Sequence, residues 1–285
     1  MGLRKVLLAF ALMLTMVTPA EAFEPCYLRG RVVYAITAEG GLVAYNLCLD
    51  PNRATGLSRW TAEGVLATSG WGDVTTAFWS GEENTPGVTY RVVGSDLFWS
   101  SDFEIWQRIG AGTDWSAYTS LTSGEPGVIY GTEPSGAVHR WVHTDWEGGS
   151  DTWGQETVAA TMPRGSVLYG HTRAGFIANT GTVGIWSDTF VKSKARLTIP
   201  EGVDPASVEP FDLAQRYPNS AFALTSSGGK LVVMLPGPCT KLERPWTAGD
   251  EIGGGYTYVF AGGYTKPRGS GPVEWQCDSP VGPSN

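Results

Sequence analysis

The feature that most constrains the fold of this chain is an internal repeat, in which an aromatic residue is followed six residues later by a glycine. Clear copies begin at Tyr34, Tyr130 and Tyr169, and weaker copies carry Tyr90 and Phe222. On a strand with alternating side chains, the aromatic residue points into the core. The glycine supplies the positive φ that a tight turn requires. Each copy therefore predicts a β-hairpin, and the series predicts a repeat architecture.

A second element precedes several of these hairpins. It is a glycine-rich turn that leads into a short strand, at residues 69–78, 113–121 and 253–263. Four strands per unit, at roughly 40–50 residues, are the period of a propeller blade. The sequence therefore predicts an all-β, five-bladed β-propeller with four-stranded antiparallel blades, in which the strand from Tyr256 to Phe260 completes the first blade. Six blades, with the C-terminal segment as a blade of its own, is the alternative.

Composition agrees with an all-β chain. The sequence holds 38 glycines and 12 tryptophans, and turn residues recur about every ten positions without a sustained helical period. Short strands at regular spacing are typical of sandwiches, barrels and propellers. Residues 23–285 are within the usual length of one all-β domain, so we expect them to form a single domain.

The first residues indicate export. Arg4 and Lys5 precede an apolar run from Val6 to Val17, and Ala20-Glu21-Ala22 has the small-x-small pattern of a cleavage site. Residues 1–22 are therefore predicted to be a secretory signal peptide, because the apolar run is shorter than the ~20 residues of a membrane span. The mature protein is expected to be secreted, in an extracellular or periplasmic compartment, with no membrane span.

Charge limits the partners. The whole chain carries a formal charge of −8, and an acidic chain repels phosphate backbones, so nucleic acid is not expected as a partner.

An even number of cysteines in an exported chain predicts two disulfides. The four candidates are Cys26, Cys48, Cys239 and Cys277. They can pair in three ways, all of which stay open, with a mild preference for Cys26–Cys277 together with Cys48–Cys239.

One repeat resembles a known family. The segment from Gly127 to Gly154 contains a Tyr-Gly strand, a turn that ends in glycine, an aromatic-rich strand and a closing tryptophan. This order resembles the repeat of tachylectin-like β-propeller lectins, and Trp71-Gly72-Asp73 is similar to an element of the same family. The resemblance is good over residues 60–190 and weak over 191–255. It implies N-acetylated amino sugars as ligands, bound in shallow pockets, one per blade, through aromatic rings and polar groups.

The residue types suit a sugar. Aromatic rings cover the C–H face of a pyranose, while Asp and backbone groups bond with its hydroxyls. Repetition of weak sites would supply avidity. The tryptophans of the Gly/Asp-rich turns and their neighbouring aspartates are the candidates: Trp71, Asp73, Asp114, Trp115, Asp145 and Trp146. The strand tryptophans are expected in the core: Trp99, Trp141, Trp153 and Trp186.

No metal or cofactor is expected. On a strand, His139 and His143 would lie about 13 Å apart, too far for one ion. The acidic loop that carries Asp145, Glu147 and Asp151 lacks the order of a calcium-binding EF-hand, which favours a solvated loop.

Two other functions remain open. A propeller glycosidase would need paired carboxylates near the ring axis, for which Asp73, Asp114 and Asp212 are the candidates. No sequence signature of another catalytic class is present, so no catalytic residue is predicted. A propeller that binds a protein partner on a flat face is the stronger alternative to a lectin.

Overall fold

The computed structural model describes residues 30–49, 57–81, 87–172, 175–179, 183–186, 190, 192–196, 208–211, 222–225, 230–235 and 247–265. Apart from a single-turn 3-10 helix, Trp115–Ala117, the regular structure of these residues is β. Their strands form four-stranded antiparallel sheets. The predicted all-β class and the four-stranded antiparallel sheet are confirmed. Within the described residues, no helix has the length and apolar character to cross a membrane.

Sheet I consists of β20 (Tyr256–Thr265), β1 (Gly30–Thr37), β2 (Leu42–Leu49) and β3 (Leu57–Ala67). Sheet II consists of β4 (Val74–Ser80), β5 (Val88–Val93), β6 (Asp96–Ser100) and β7 (Gln107–Ile109). Sheet III consists of β8 (Ser120–Glu125), β9 (Val128–Thr132), β10 (Ala137–Val142) and β11 (Thr157–Thr161).

Sheets IV and V follow. Sheet IV consists of β12 (Val167–Thr172), β13 (Gly175–Asn179), β14 (Val183–Trp186) and β15 (Lys192–Arg196). Sheet V consists of β16 (Val208–Phe211), β17 (Phe222–Thr225), β18 (Lys230–Leu235) and β19 (Thr247–Gly254). The Tyr169 hairpin differs from the others, because it supplies the first two strands of its sheet rather than the second and third. Only residues 162–166 separate β11 from β12, which leaves no chain for a preceding strand.

The two ends of the described chain meet in sheet I. β20 pairs antiparallel with β1, and Tyr34 lies opposite Phe260 in the register. This is the predicted pairing of the Tyr256–Phe260 strand with the first hairpin. The chain thereby gives its first sheet a strand from more than 200 residues away.

The first strands of the five sheets contact one another in order. β20 contacts β4, β4 contacts β8, β8 contacts β12, β12 contacts β16, and β16 contacts β20. Serines connect some of these strands, since Ser123 Oγ of β8 donates to Ser80 Oγ of β4 at 2.7 Å and Ser120 Oγ of β8 accepts from Leu168 N–H of β12 at 2.9 Å. The arrangement of the sheets is β-propeller-like.

In sheets I to III, the turn between the second and third strands is bonded to the start of the next sheet. Gly40 and Gly136 adopt the predicted positive φ, 78° and 94°. The carbonyl of Gly40 accepts from Trp71 N–H at 3.0 Å, and the carbonyl of Gly136 accepts from Met162 N–H at 2.8 Å. In sheet II the carbonyl of Ser95 accepts from Trp115 N–H at 3.0 Å. One buried residue at the start of each next sheet is thereby fixed against the preceding turn.

The core consists of clusters between neighbouring sheets. The first interface, between sheets I and II, contains Tyr34, Ile36, Leu42, Ala44, Trp71, Ala77 and Phe260. The second interface, between sheets II and III, contains Phe78, Val88, Tyr90, Val92, Leu97, Trp99, Ile109, Trp115, Leu121 and Ile129. The third, between sheets III and IV, contains Val138, Met162, Leu168 and Ala178. The repeat tyrosines Tyr34 and Tyr90 each face the following sheet, as predicted for core anchors.

Several predictions fall outside the described residues. These are the signal peptide at residues 1–22, the cysteines Cys26, Cys239 and Cys277, and the acid Asp212. Only the backbone of Cys48 is described, within β2, and the same holds for Trp186 within β14. The disulfides and the signal peptide therefore stay predictions.

Candidate functional site

Two of the predicted sugar-binding residues are core side chains. Trp71 is 2% exposed and Trp115 is 1% exposed. Trp71 stacks on Phe260 with ring centroids 6.1 Å apart, and the indole N–H of Trp115 donates to Gly110 O at 3.1 Å. The prediction that these rings are sugar-stacking surfaces is wrong, because each junction between sheets must bury a large side chain beneath the preceding turn.

The predicted aspartates are exposed, and two of them stabilise turns. Asp114 caps the 3-10 helix by accepting from the N–H of Ser116 at 3.0 Å and from its hydroxyl at 2.5 Å. Asp145 accepts from the Ser150 hydroxyl, and this hydrogen bond lowers the pKa of Asp145. Asp73 follows Trp71 on the surface of the first interface.

Trp146 is half-buried and packs against the second interface. Its carbonyl accepts from the indole N–H of Trp99 at 2.7 Å. The pairs Asp114–Trp115 and Asp145–Trp146 therefore meet at one interface, whereas Trp71–Asp73 belongs to the neighbouring one.

Three half-buried aromatic rings surround Trp115 at the second interface, and we call them the second cleft: Tyr118, Trp141 and Trp153. Their ring centroids lie 6.0, 5.4 and 5.7 Å from the centroid of Trp115. The indole N–H of Trp141 donates to the Tyr118 hydroxyl at 3.2 Å. The buried indole thus holds a partly exposed aromatic surface in a fixed shape.

Two glutamates lie beside this surface. His139, on the same face of β10 as Trp141, places one ring nitrogen 3.0 Å from Glu133 and the other against Glu156. The imidazole also lies edge-on to Tyr118, with centroids 5.8 Å apart. Burial raises the pKa of Tyr118, the Trp141 hydrogen bond opposes this, and the charges of Glu156 and Glu133 raise it further. The cleft therefore lies in a negative field.

A third carboxylate, Asp151, orients Trp153. One oxygen of Asp151 accepts from the Trp153 indole N–H and from Gly110 N–H, both at 2.6 Å. Partial burial raises the pKa of Asp151, but these hydrogen bonds outweigh burial and lower it. Asp151 is therefore ionised at neutral pH.

A buried polar chain supports the loop behind the cleft. His143 is fully buried and stacks on Trp153 with centroids 5.0 Å apart. Its Nε2 lies 2.7 Å from Ser150 O, and its Nδ1 lies 2.9 Å from the Tyr90 hydroxyl. Because a carbonyl can only accept, Nε2 carries the proton and Nδ1 accepts from Tyr90. This imidazole is neutral, in keeping with the burial that lowers its pKa.

The first interface has a related group of rings, the first cleft: Trp71, Phe98, Phe103 and Trp106. Here the cleft is filled by Arg91, whose guanidinium carbon lies 4.0 Å from the Trp106 centroid and 4.9 Å from that of Trp71. Arg91 Nη1 donates to Gly70 O at 3.2 Å, while Nε is buried without a hydrogen-bond partner. Burial lowers the pKa of Arg91.

Sequence reasoning missed the residues that form the second cleft. Trp141 and Trp153 were expected in the core, and both do pack on it while keeping part of the ring exposed. The period of two along β10, which places His139 and Trp141 on one face, is the signal that links them. Nothing in the sequence shows that Asp151 bonds across to Gly110 of another sheet.

The carboxylates considered for catalysis do not form a group in the described part of the chain. Asp73 and Asp114 lie at different interfaces, and Asp114 is occupied by its cap. Among the same residues, no set of three His, Cys, Asp or Glu side chains is arranged to hold a metal ion.

Comparisons with known proteins give distant similarity to solved structures only. No protein-family model matches the chain, and no curated protein matches it. PorZ, an essential bacterial surface component of the type-IX secretion system of Porphyromonas gingivalis, is 15% identical over 76% of this chain, with a TM-score of 0.40. This chain spans 24% of PorZ, or about a quarter of its length.

Two lyases are similar at a comparable level. Virginiamycin B lyase from Staphylococcus aureus is 14% identical, with a TM-score of 0.33, over 72% of this chain and 67% of the lyase. A streptogramin B lyase is 11% identical, with a TM-score of 0.34, over 74% of this chain and 70% of the lyase. Identities and TM-scores this low say nothing about activity.

Proposed function

We propose that this protein is a secreted, non-enzymatic lectin that recognises glycans containing amino sugars at the second cleft. The observation that carries the proposal is the set of three half-buried rings, Tyr118, Trp141 and Trp153, held around one buried indole beside carboxylates. A pyranose packs its C–H face on such rings, and its hydroxyl and amino groups bond with carboxylate oxygens. The resemblance to tachylectin-like lectins supports the same class of ligand.

The proposal includes a closed, five-bladed β-propeller. The cyclic order of contacts among β20, β4, β8, β12 and β16 supports closure of the ring. The pairing of β20 with β1 supports five blades over six, because it assigns the C-terminal strand to sheet I. Closure would leave the innermost strand of each sheet facing a central channel, where its edge is protected from pairing with another chain.

We further propose that the blades are not equivalent as binding sites. Arg91 fills the first cleft, and Met162 stands at the third junction where Trp71 and Trp115 stand at the first two. The number of competent sites would then be smaller than the number of blades, in contrast with the one site per blade that the resemblance implies. Avidity would depend on the remaining sites or on self-association.

A glycan array, followed by competition with free oligosaccharides at millimolar concentration, tests the proposal. We expect binding to amino-sugar glycans, and we expect Trp141→Ala to weaken it about tenfold or more, because a stacking ring is lost. Trp106→Ala, which removes the half-buried tryptophan of the first cleft, is the matched control and should bind as the unmodified protein does. Circular dichroism and thermal unfolding verify that both variants are folded.

Two results would contradict the proposal. One is an array with no glycan binding, which would favour a propeller that binds a protein partner. The other is glycan binding that Trp106→Ala weakens and Trp141→Ala does not, which would move the site to the first interface.

A further inference from the structure

The two clefts are built on one framework. Trp71 and Trp115 occupy equivalent positions at successive junctions between sheets, each with its backbone N–H bonded to the preceding turn. Each also packs against a second tryptophan from the connection between third and fourth strands, with centroids 5.4 Å apart for Trp71–Trp106 and 5.7 Å apart for Trp115–Trp153. The occupant of the first cleft therefore indicates what this framework can hold.

That occupant is an organic cation. The guanidinium of Arg91 lies over the faces of Trp106 and Trp71, within the range of cation–π attraction. Among the residues that the structure describes, this guanidinium makes one hydrogen bond, from Nη1 to Gly70 O, and its Nε has no partner. The guanidinium of Arg91 is therefore bound mainly by aromatic rings and not by carboxylates.

The second cleft lacks a built-in cation. Arg91 follows Tyr90 in β5, and the residue that follows the repeat tyrosine in β9 is Gly131. A side chain is absent there, and the Tyr118 ring lies 2.6 Å from where a Cβ would be. Among the described residues, no lysine or arginine side chain lies over Trp115, Trp141 or Trp153.

The second cleft instead has an excess of carboxylates. Glu133 and Glu156 share one imidazole, that of His139, so one positive charge at most faces two negative ones. Asp151 adds a third carboxylate at the edge of Trp153. Aromatic faces beside uncompensated carboxylates favour a positively charged ligand.

We propose that the second cleft binds its amino sugar through a free, protonated amino group rather than an acetamido group. The proposal rests on the function proposed above and specifies the ligand. The ammonium would lie on the aromatic faces beside Glu133 and Glu156, with the pyranose on Trp141 and Tyr118. An acetamido group carries no charge and would leave the carboxylates without a partner.

Calorimetric titration with three matched oligosaccharides tests this: glucosamine tetramers, N-acetylglucosamine tetramers and cellotetraose, at a pH where the glucosamine amines are mostly protonated. We expect glucosamine tetramers to bind about tenfold more tightly than the other two, and the preference to shrink as salt is raised. Glu156→Gln should reduce the preference several-fold. Glu104→Gln, an exposed glutamate on the equivalent connection of the first interface, is the matched control and should keep it.

The outcomes separate the two proposals. Equal or tighter binding of the acetylated tetramer would overturn the free-amine proposal and leave the lectin proposal standing. Binding of choline chloride with no binding of any saccharide would overturn the lectin proposal and retain capture of a cation. Preference for glucosamine that survives both Glu156→Gln and Glu133→Gln would show that the cleft is not its source.

Discussion

The first and second interfaces share a buried tryptophan framework but differ in the side chain that packs into it. Both bury a tryptophan at the junction between sheets and place a second tryptophan against it. The first interface then inserts the side chain of Arg91, and the second inserts the ring of Tyr118 over Gly131. The first cleft is therefore complete within the protein, while the second ends in partly exposed rings and carboxylates.

The two interfaces also differ in how their outer connections are held. At the second, sheet II reaches across to the 143–153 loop through two side chains, Tyr90 to His143 and Trp99 to the carbonyl of Trp146. At the first, the 100–106 connection is held mainly by its own residues, since Ser100 and Asp102 accept from nearby backbone N–H groups. A loop tied to a neighbouring sheet keeps a binding surface rigid, which lowers the entropy cost of binding.

The largest effect is expected from removing the buried tryptophans. Trp115→Ala and Trp71→Ala should each lower the free energy of unfolding by about 3–5 kcal/mol, because each leaves a large cavity between two sheets. Urea unfolding at constant m-value measures the loss. A loss below about 1 kcal/mol for Trp115→Ala, with the expected loss for Trp71→Ala, would show that the two junctions are not equivalent.

A smaller, pH-dependent effect is expected from His143. Burial lowers the pKa of His143, against opposing effects of the Ser150 carbonyl and of Asp145 and Asp151. Below about pH 6.5 the unfolded chain therefore binds a proton that the folded chain does not. Stability contributed by the neutral imidazole is present above that pH and is lost as the pH falls, by at most about 1.4 kcal/mol per unit.

The comparison of the unmodified protein with His143→Gln isolates this contribution. A glutamine can accept from Tyr90 and donate to Ser150 O, as the neutral imidazole does, but it does not titrate. Urea midpoints between about pH 5 and 7 should fall less steeply for the variant. The pKa values of Asp145 and Asp151 are lowered in the folded protein. The stability that these two carboxylates contribute is therefore lost only when the pH falls below about 3.9. Identical slopes for the two proteins would mean that the buried imidazole is not the titrating group.

The sequence predicted the repeating parts of the molecule well. Tyr34 and Tyr90 are core anchors, and Gly40 and Gly136 take the positive φ of their turns, because each of these roles depends on local backbone geometry. The pairing of β20 with β1 was also predictable, from the strand that the first hairpin lacks.

The site was less predictable, because it depends on contacts between sheets. The tryptophans in turns were expected on the surface, yet Trp115 is buried, and Trp141 was expected in the core, yet part of its ring is exposed. Composition and the alternation of residues predict which face of a strand a side chain lies on. They do not predict how much of that side chain the neighbouring sheet covers. The hydrogen bond from Gly110 to Asp151 spans 41 residues and has no sequence signature.

The smallest effect is expected at the occupant of the first cleft. Arg91→Met removes a cation–π contact of about 1–2 kcal/mol and one hydrogen bond, but it also removes a buried Nε without a partner and keeps an apolar stem of similar length. These contributions oppose each other, so the free energy of unfolding should change by less than about 1 kcal/mol, and glycan binding at the second cleft should not change. Urea unfolding measures the change in stability, and the calorimetric titration with glucosamine tetramers measures the binding. A loss of several kcal/mol would show that Arg91 is a structural requirement rather than a replaceable occupant, and the first cleft would then be a poor guide to the ligand of the second.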